Sequence, residues 1–292
     1  MSATLSDLAL LRRRIDAIDD RMHDLLIERA EIVTRVAAMK SDGDIAFYQP
    51  AREAQILRRL AARHHGVLPV AGVLRIWREM LAATVRLETP FAVAVFAPPE
   101  ANGLWDLARD HYGCHAPMSA YGSVGEVIGA LNADRAAVGV LPMPQEADPD
   151  PWWRQLMPPK GDGLRVMARL PFGARGNARS GGSDALVIGR GAQQKTGADR
   201  TLFITALGGD FSRARFFGRL SSAGFNCTFS AFCEQTDGIL NLFELDELVP
   251  ICDPRIVDFS ARLGPALHRL LPLGGYAVPL SMTAPSLDAA KG

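Results

Sequence analysis

The residues with the clearest chemical potential are three cations on one long helical pattern. Leu8, Leu11, Ile15, Ile18, Met22, Leu25, Arg29, Ile32, Val36 and Met39 follow one another at alternating spacings of 3 and 4, the seam of a heptad repeat. Arg29 occupies an apolar slot of that seam. Two readings of it stand. Its stem packs while its head reaches water or sets register, or the seam surrounds a pocket for an anion. Arg12 and Lys40 share the heptad position one step after the seam, about 42 Å apart if one helix carries both. That is too far for them to meet one small ligand. Arg29 and Lys40 are about 16 Å apart along the axis, so their long side chains can converge on a ligand between them. If Arg12 belongs to the same site, it must come from a second copy of the chain. Such a set of cations suits carboxylates, which the arginine fork grips with two parallel bonds.

The helix that positions these cations is expected from about residue 7 to 41. It contains no Gly or Pro, with Ser6 as its N-cap and Asp42-Gly43 as its stop. At roughly 50 Å it cannot bury its seam within a ninety-residue domain, so it needs a partner chain or must protrude. A second helix starts at Pro50, a favoured first-turn position, and continues as AREAQILRRLAARHH. A third runs from about Val70 to Glu88, with Val73, Leu74, Trp77, Leu81 and Val85 on one face.

Bulk properties narrow the class. With 292 residues the chain can hold two or three domains. Its 32 basic residues balance its 32 acidic ones, so no overall field favours nucleic acid or membrane as a partner. There is no secretory start, and no apolar run reaches the length of a spanning helix, which makes the cytoplasm the default location. Cys114, Cys227, Cys233 and Cys252 are scattered without zinc spacing and are expected to be buried, reduced thiols. No metal or other cofactor is called for. His64-His65 is expected at an exposed helix end, Trp152-Trp153 in packing, and Gly208-Gly209 in a turn. Joints are expected at Glu88-Thr89-Pro90 and at the Gly/Ser-rich stretch Phe172 to Gly182. Pro144 to Pro151 should be a loop, and the tail after Pro279 is irregular.

LRRRIDAIDDRMHDLLIERAEIVTRVAAMK, then YQPAREAQIL, then IWREMLAATVRLE resembles the helical, type II chorismate mutases. It looks most like the mutase domain of the bifunctional chorismate mutase–prephenate dehydratases, over roughly residues 6–88. The resemblance implies an all-α, three-helix protomer in a homodimer intertwined through the N-terminal helices, each of two sites taking one arginine from the partner. Carried over by motif, Arg12 is the donated arginine, and Arg29 and Arg52 hold the carboxylates of chorismate. Lys40 bonds the ether oxygen and a carboxylate, and Glu53 bonds the C4 hydroxyl. Thr84 stands where the family often has Ser, Glu88 where it often has Gln, and Gln49 where relatives place Asp. Lys40 and Glu88 are the catalytic pair. The implied reaction rearranges chorismate to prephenate in phenylalanine and tyrosine biosynthesis. It is pericyclic and needs no nucleophile, metal or proton transfer. An enzyme helps by holding the reactive diaxial dianion and by stabilising charge that develops on the ether oxygen.

After residue 90 the pattern is α/β: strand FAVAV, a helix around 104–111, helix SVGEVIGALNA and strand AAVGVLP. The order resembles the first lobe of prephenate dehydratase, with altered motifs. APPEANG (97–103) replaces the opening glycine loop and PMPQE (142–146) a second loop. SDALVIG (183–189) puts Ser183-Asp184 where the family has its catalytic Thr-Arg. Roughly a hundred residues of the second lobe are missing, and a cleft enzyme without its second wall cannot close around substrate. No dehydratase activity is therefore expected. RTLFITAL, SRARFFGRLSSAGFNCTFSAFC, GILNLFEL and LGGYAVP resemble a βαββαβ ACT domain. The family's phenylalanine-binding GAL and ESRP segments read SRA and AFCE here. Three readings of this domain stay open: sensing of an aromatic amino-acid effector, dimerisation, or a retained structural remnant. The expected fold is thus multidomain, with an all-α mutase domain (1–89), a truncated α/β dehydratase-like lobe (90–190) and an α+β ACT-like domain (198–282).

Other functions compete with an active mutase. One is a catalytically weak, mutase-like regulatory protein, which Gln49 favours. A second is a bifunctional enzyme with residual dehydratase activity. A third is a lyase acting on isochorismate, although such relatives usually lack this tail. Glu88 generates a prediction for the mutase. An ionised carboxylate beside the ether oxygen repels the developing charge, whereas a protonated one donates a hydrogen bond. Turnover of chorismate should therefore rise as pH falls below neutrality, and a flat profile between about pH 5 and 8 would remove Glu88 from this role.

Overall fold

The computed structural model describes residues 2–41, 48–99, 102–146, 148, 150–157, 163–176, 184–208, 211–236 and 238–281, without the side chains of 2–5 and 41. Asp42-Gly43, Ser183, Gly209, residues 177–182 of the Gly/Ser-rich joint, parts of 97–103 and of the 144–151 loop, and the tail from 282 lie outside them. The chain divides into two compact units. One is Met1–Tyr48 with Ala83–Pro90, and the other is Gln49–Ala82 with Phe91–Gly292.

The first unit is built on α1 (Ser2–Ser41) and the C-terminal end of α3 (Val70–Glu88). Helix α1 begins before the expected Ser6 cap, because Ala3 and Leu5 propagate a helix and no Gly or Pro interrupts it. Its apolar seam stays uncovered. Every apolar seam residue from Leu8 to Met39 is between 41 and 75% exposed, a continuous stripe of the kind that monomers rarely leave in water.

The second unit contains α2 (Pro50–Arg63), the first part of α3 and all that follows. Pro50 opens α2, and Ala54, Leu57 and Leu60 form its buried face. That face and Leu74 and Leu81 of α3 pack on Phe172, with Ala277 and Leu280 alongside. The Arg58 guanidinium donates to the carbonyls of Ala198 at 2.8 Å and Val278 at 2.7 Å. Phe172 therefore belongs to a core and not to a free linker, and Leu280 N–H donates to its carbonyl at 2.7 Å.

From β1 (Val93–Phe96) the chain alternates through α4 (Gly103–Tyr112), β2 (Met118–Tyr121), α5 (Val124–Asn132) and β3 (Val138–Pro142). Helix α5 carries a capping box, Ser123 Oγ accepting from Glu126 N and Glu126 Oε2 accepting from Ser123 N. Then come β4 (Arg165–Leu170), β5 (Ala185–Gly189), β6 (Asp199–Leu207), α6 (Arg213–Ser222), β7 (Cys227–Gln235), β8 (Gly238–Leu245), α7 (Pro254–Leu263) and β9 (Leu267–Ala277). The last six elements realise the βαββαβ pattern, with strands in the order β9-β6-β8-β7.

One sheet of nine strands runs β2-β1-β3-β5-β4-β9-β6-β8-β7. It is continuous across the joint between the second and third sequence blocks, through a parallel pairing registered at one position, Val166 with Gly274. A core shared by both blocks lies against it, including Trp152, Trp153, Leu164 and Leu186 together with Leu202, Ala231 and Leu242. Trp152-Trp153 is thus packing, as expected. Among the cysteines only Cys233 is buried. Cys114 and Cys252 are exposed and Cys227 is intermediate, all four free, which corrects the expectation of four buried thiols. Exposed turns after α4 and in the 246–253 loop carry the two outer ones.

Gly274 makes the junction between sheet halves sterically sensitive. Its φ is +100°, and a Cβ there would lie 2.3 Å from the Val166 carbonyl oxygen. An L side chain meets both backbone strain and a backbone clash. Gly274→Ala is expected to lower the unfolding free energy by about 2 kcal/mol or more, measured by urea denaturation. A wild-type midpoint would show that the junction does not constrain the sheet.

Candidate active site

In the first unit the structure brings together four of the residues proposed for substrate. Thr84 and Glu88 lie one turn apart on α3 and face Arg29 and Lys40 of α1. Lys40 Nζ donates to Glu88 Oε2 at 2.5 Å, with both side chains almost wholly covered. Arg29 NH1 reaches Thr84 Oγ1 at 3.5 Å. Thr84 is buried and Arg29 half-buried. Burial pulls the Arg29 pKa down from its ordinary value, while the charge of Glu88 opposes that shift. Among the described residues no carboxylate comes within ion-pair distance of Arg29. A partly desolvated guanidinium without a paired anion is a natural receptor for one. Arg12 stands exposed near the other end of α1, about 26 Å from Arg29 along the axis.

The remaining proposed residues open α2 in the second unit. Gln49 is the N-cap residue, and its carbonyl accepts from Glu53 N at 3.2 Å. Arg52 points to solvent and, among the described residues, has no hydrogen-bond or ion-pair partner. Glu53 is committed to a buried cluster. Arg78 NH2 donates to Glu53 Oε2 at 3.0 Å. Arg78 NH1 lies 2.9 Å from Nε2 and 3.1 Å from Nδ1 of His111 on α4. Burial, and next the charge of Arg78, hold His111 well below the usual imidazole pKa. A neutral ring can accept from the guanidinium, so the arrangement is self-consistent. Oε1 of Glu53 accepts from none of the described residues.

Sequence reasoning missed Arg78 and His111. The signal for Arg78 was present: it lies four residues after Leu74 and three before Leu81, a charge in the apolar face of α3, as Arg29 is in α1. Nothing local marks His111, because its partner is 33 residues away. His64 and His65 end α2 as expected, His64 as its C-cap residue. A third cluster surrounds Asp184, which accepts from Arg169 Nε at 3.0 Å and Arg169 NH2 at 2.7 Å, and also from Arg175. Asp184 is thus a carboxylate neutralised by two arginines.

Among the described residues, no helix is long and apolar enough to cross a membrane. No group of three or more His, Cys, Asp or Glu could hold a metal.

Residues 11–89 match the family model of chorismate mutase type II. The bifunctional chorismate mutase/prephenate dehydratase of Stutzerimonas stutzeri is 31% identical over 141 residues, 47% of this chain and 38% of that one. Its counterpart in Aquifex aeolicus is 29% identical over 143 residues, 48% and 39% respectively. The T-protein of Enterobacter agglomerans is 40% identical over 80 residues, 26% and 21%. The chain spans about two fifths of the length of the bifunctional relatives it matches. Two solved structures are similar to part of this chain. Prephenate dehydratase from Arthrobacter aurescens in complex with L-Phe has a TM-score of 0.48 at 14% identity, covering 66% of this chain and 93% of that one. GqqA, described as a novel type of quorum quenching acylase, has a TM-score of 0.48 at 15% identity, covering 64% and 95%.

The N-terminal part of the chain is therefore a type II chorismate mutase domain, of an isomerase family. It is homologous to the mutase part of the bifunctional chorismate mutase/prephenate dehydratases and continues into an α/β region.

The buried cluster makes a stability prediction. Removing Arg78 strands Glu53 in a largely covered position, and breaking a buried pair costs about 3–5 kcal/mol. Arg78→Met should lower the urea midpoint accordingly. His111 takes up a proton near pH 6.5 when unfolded and not until much lower pH when folded. The unfolded state therefore binds more protons below about pH 6.5, and stability falls as pH drops through that range. His111→Gln should flatten this part of the stability–pH curve. A slope unchanged by the substitution would show that His111 is not the group responsible.

Proposed function

We propose that this protein is a chorismate mutase that rearranges chorismate to prephenate in phenylalanine and tyrosine biosynthesis, working in the cytoplasm as a homodimer. The observation that carries the reading is the covered Lys40–Glu88 pair beside Arg29, at family positions within the matched segment. Arg29 takes a substrate carboxylate that its surroundings do not supply. Lys40, beside Glu88, directs an N–H at the ether oxygen, where a fixed cation lowers the barrier without reorganising. Thr84 adds a hydroxyl. Gln49, Arg52 and Glu53 contact substrate on the strength of the resemblance. Arg52 is uncommitted, as a ligand residue would be, and Glu53 keeps one oxygen for a hydroxyl donor. The exposed seam of α1 is the dimer surface, and Arg12, which the resemblance assigns to the site and which lies too far along α1 to serve its own chain, serves the partner's site.

Asp184, bound to Arg169 and Arg175, supports the absence of dehydratase activity. A neutralised carboxylate cannot replace a catalytic arginine. A single assay tests both statements. Purified protein is given chorismate, and phenylpyruvate is measured before and after acid, which converts prephenate. Loss of chorismate with phenylpyruvate only after acid is expected. Phenylpyruvate before acid would overturn the second statement, and no loss of chorismate the first. Lys40→Ala should cost about 10²-fold or more in kcat/KM. Arg12→Ala and Arg29→Ala should each be nearly inactive, yet a refolded mixture of the two should recover activity. Without that recovery, Arg12 does not serve a partner's site.

A further inference from the structure

The second unit holds a cavity of about 570 Å³ that none of the proposed mutase residues lines, a volume typical of small-molecule sites. It lies by the junction of the two halves of the sheet, where β4 and β9 pair in register only at Val166 and Gly274. Its walls include Arg165 of β4, Gln193 after β5, Thr201 of β6, Val249 and Ile251 after β8, and Pro272 of β9.

These walls are built before any ligand arrives. Thr201 Oγ1 donates to the Glu247 carbonyl at 2.8 Å and accepts from Val249 N at 3.0 Å, fixing the loop after β8 from inside. Arg255 clamps Glu247 with bonds of 2.7 and 2.9 Å and is itself held by Asp253. Gln193 Nε2 donates to the Arg200 carbonyl at 2.8 Å.

The cavity has an uneven charge. Arg165 NH1 donates to the Pro272 carbonyl at 2.5 Å, which keeps the guanidinium at the wall. Its other donors have no partner among the described residues, and no described carboxylate lies within ion-pair distance of it. Arg190 also lines the space, but its head is turned to the Leu131 carbonyl and Asp134. Among the described residues no Asp or Glu lines the cavity, and Val249, Ile251 and Pro272 supply apolar surface.

We propose that this cavity binds a small organic acid, its carboxylate on Arg165 and its apolar body against Val249, Ile251 and Pro272. The described lining offers no anion to an α-ammonium group. The site therefore prefers acids without an amino group to the matching amino acids, because a desolvated ammonium would lack a counter-ion. It shares no lining residue with the proposed mutase site and does not depend on that reading.

Calorimetric titration of the whole protein tests this with 3-phenylpropanoate, phenylalanine and inorganic phosphate. The first two share a ring and a carboxylate and differ in the ammonium group. 3-Phenylpropanoate should bind at one site per chain, and phenylalanine at least about tenfold more weakly. Phosphate should not displace the acid. Arg165→Gln should weaken the acid by about tenfold or more, the scale of a lost charged hydrogen bond. That variant also loses the bond to Pro272. Ile251→Asp, on an exposed loop, therefore provides an independent test and should abolish binding with the melting temperature unchanged. Absence of binding at millimolar acid, equal affinity for phenylalanine, displacement by phosphate, or wild-type affinity in a folded variant would each overturn the proposal.

Discussion

The constraint on which the rest depends is the uncovered seam of α1. A helix of 40 residues presents nine apolar side chains at heptad spacing, all exposed. Covering such a stripe is worth roughly 1.5–3 kcal/mol for each large side chain fully buried, so a second copy has a strong thermodynamic reason to lie along it. The same length separates Arg12 from Arg29 and Lys40. Under the proposed function, the helix that demands a partner is also the helix that lends that partner an arginine. Stability and chemistry then share one cause, and a monomer would lack both.

Two arginines in apolar helix faces show how far a pattern carries and where it stops. Arg29 and Arg78 each interrupt a hydrophobic stripe, and in both cases the break marks a buried or half-buried charge. Their surroundings differ. Arg78 has Glu53 at 3.0 Å and the His111 ring beside it, so its charge is answered within the protein. Arg29 has a hydroxyl at 3.5 Å and no carboxylate at ion-pair distance. One is an internal fastening and the other is open to an anion. A carboxylate twenty-five residues away in sequence and a histidine on another helix decide between them, and heptad spacing contains neither.

The α/β region makes a related point about boundaries. Its helices and strands were readable singly, from βα alternation and from turn residues between short apolar runs. The two blocks nevertheless share one sheet and one core. Their junction rests on Gly274, whose left-handed φ and missing Cβ allow β9 to approach the backbone of Val166. Glycine in LGGYAVP reads equally well as a turn, so a strand junction there could not be inferred. The described part of the Gly/Ser-rich joint is loop between β4 and β5, as composition marks it, while Phe172 at its start packs with Leu57 and Leu74, a contact that composition does not show.

The sequence by itself determined the three N-terminal helices, although α1 starts several residues before the expected cap, and the heptad seam with its charged interruption. These follow from local periodicity, capping and turn chemistry, which need no distant partner. It also carried the resemblances that name Lys40, Glu88 and Arg29 and that imply the βαββαβ order. Only the tertiary structure decided that Lys40 and Glu88 meet at 2.5 Å, that Glu53 is held by Arg78 and that Asp184 is neutralised by two arginines. The continuity of the sheet and the opening beside Arg165 were settled there too. The physical reason is common to all of them. A charge or a strand edge must find its complement in space, and chain order does not encode which distant residue is free to supply it.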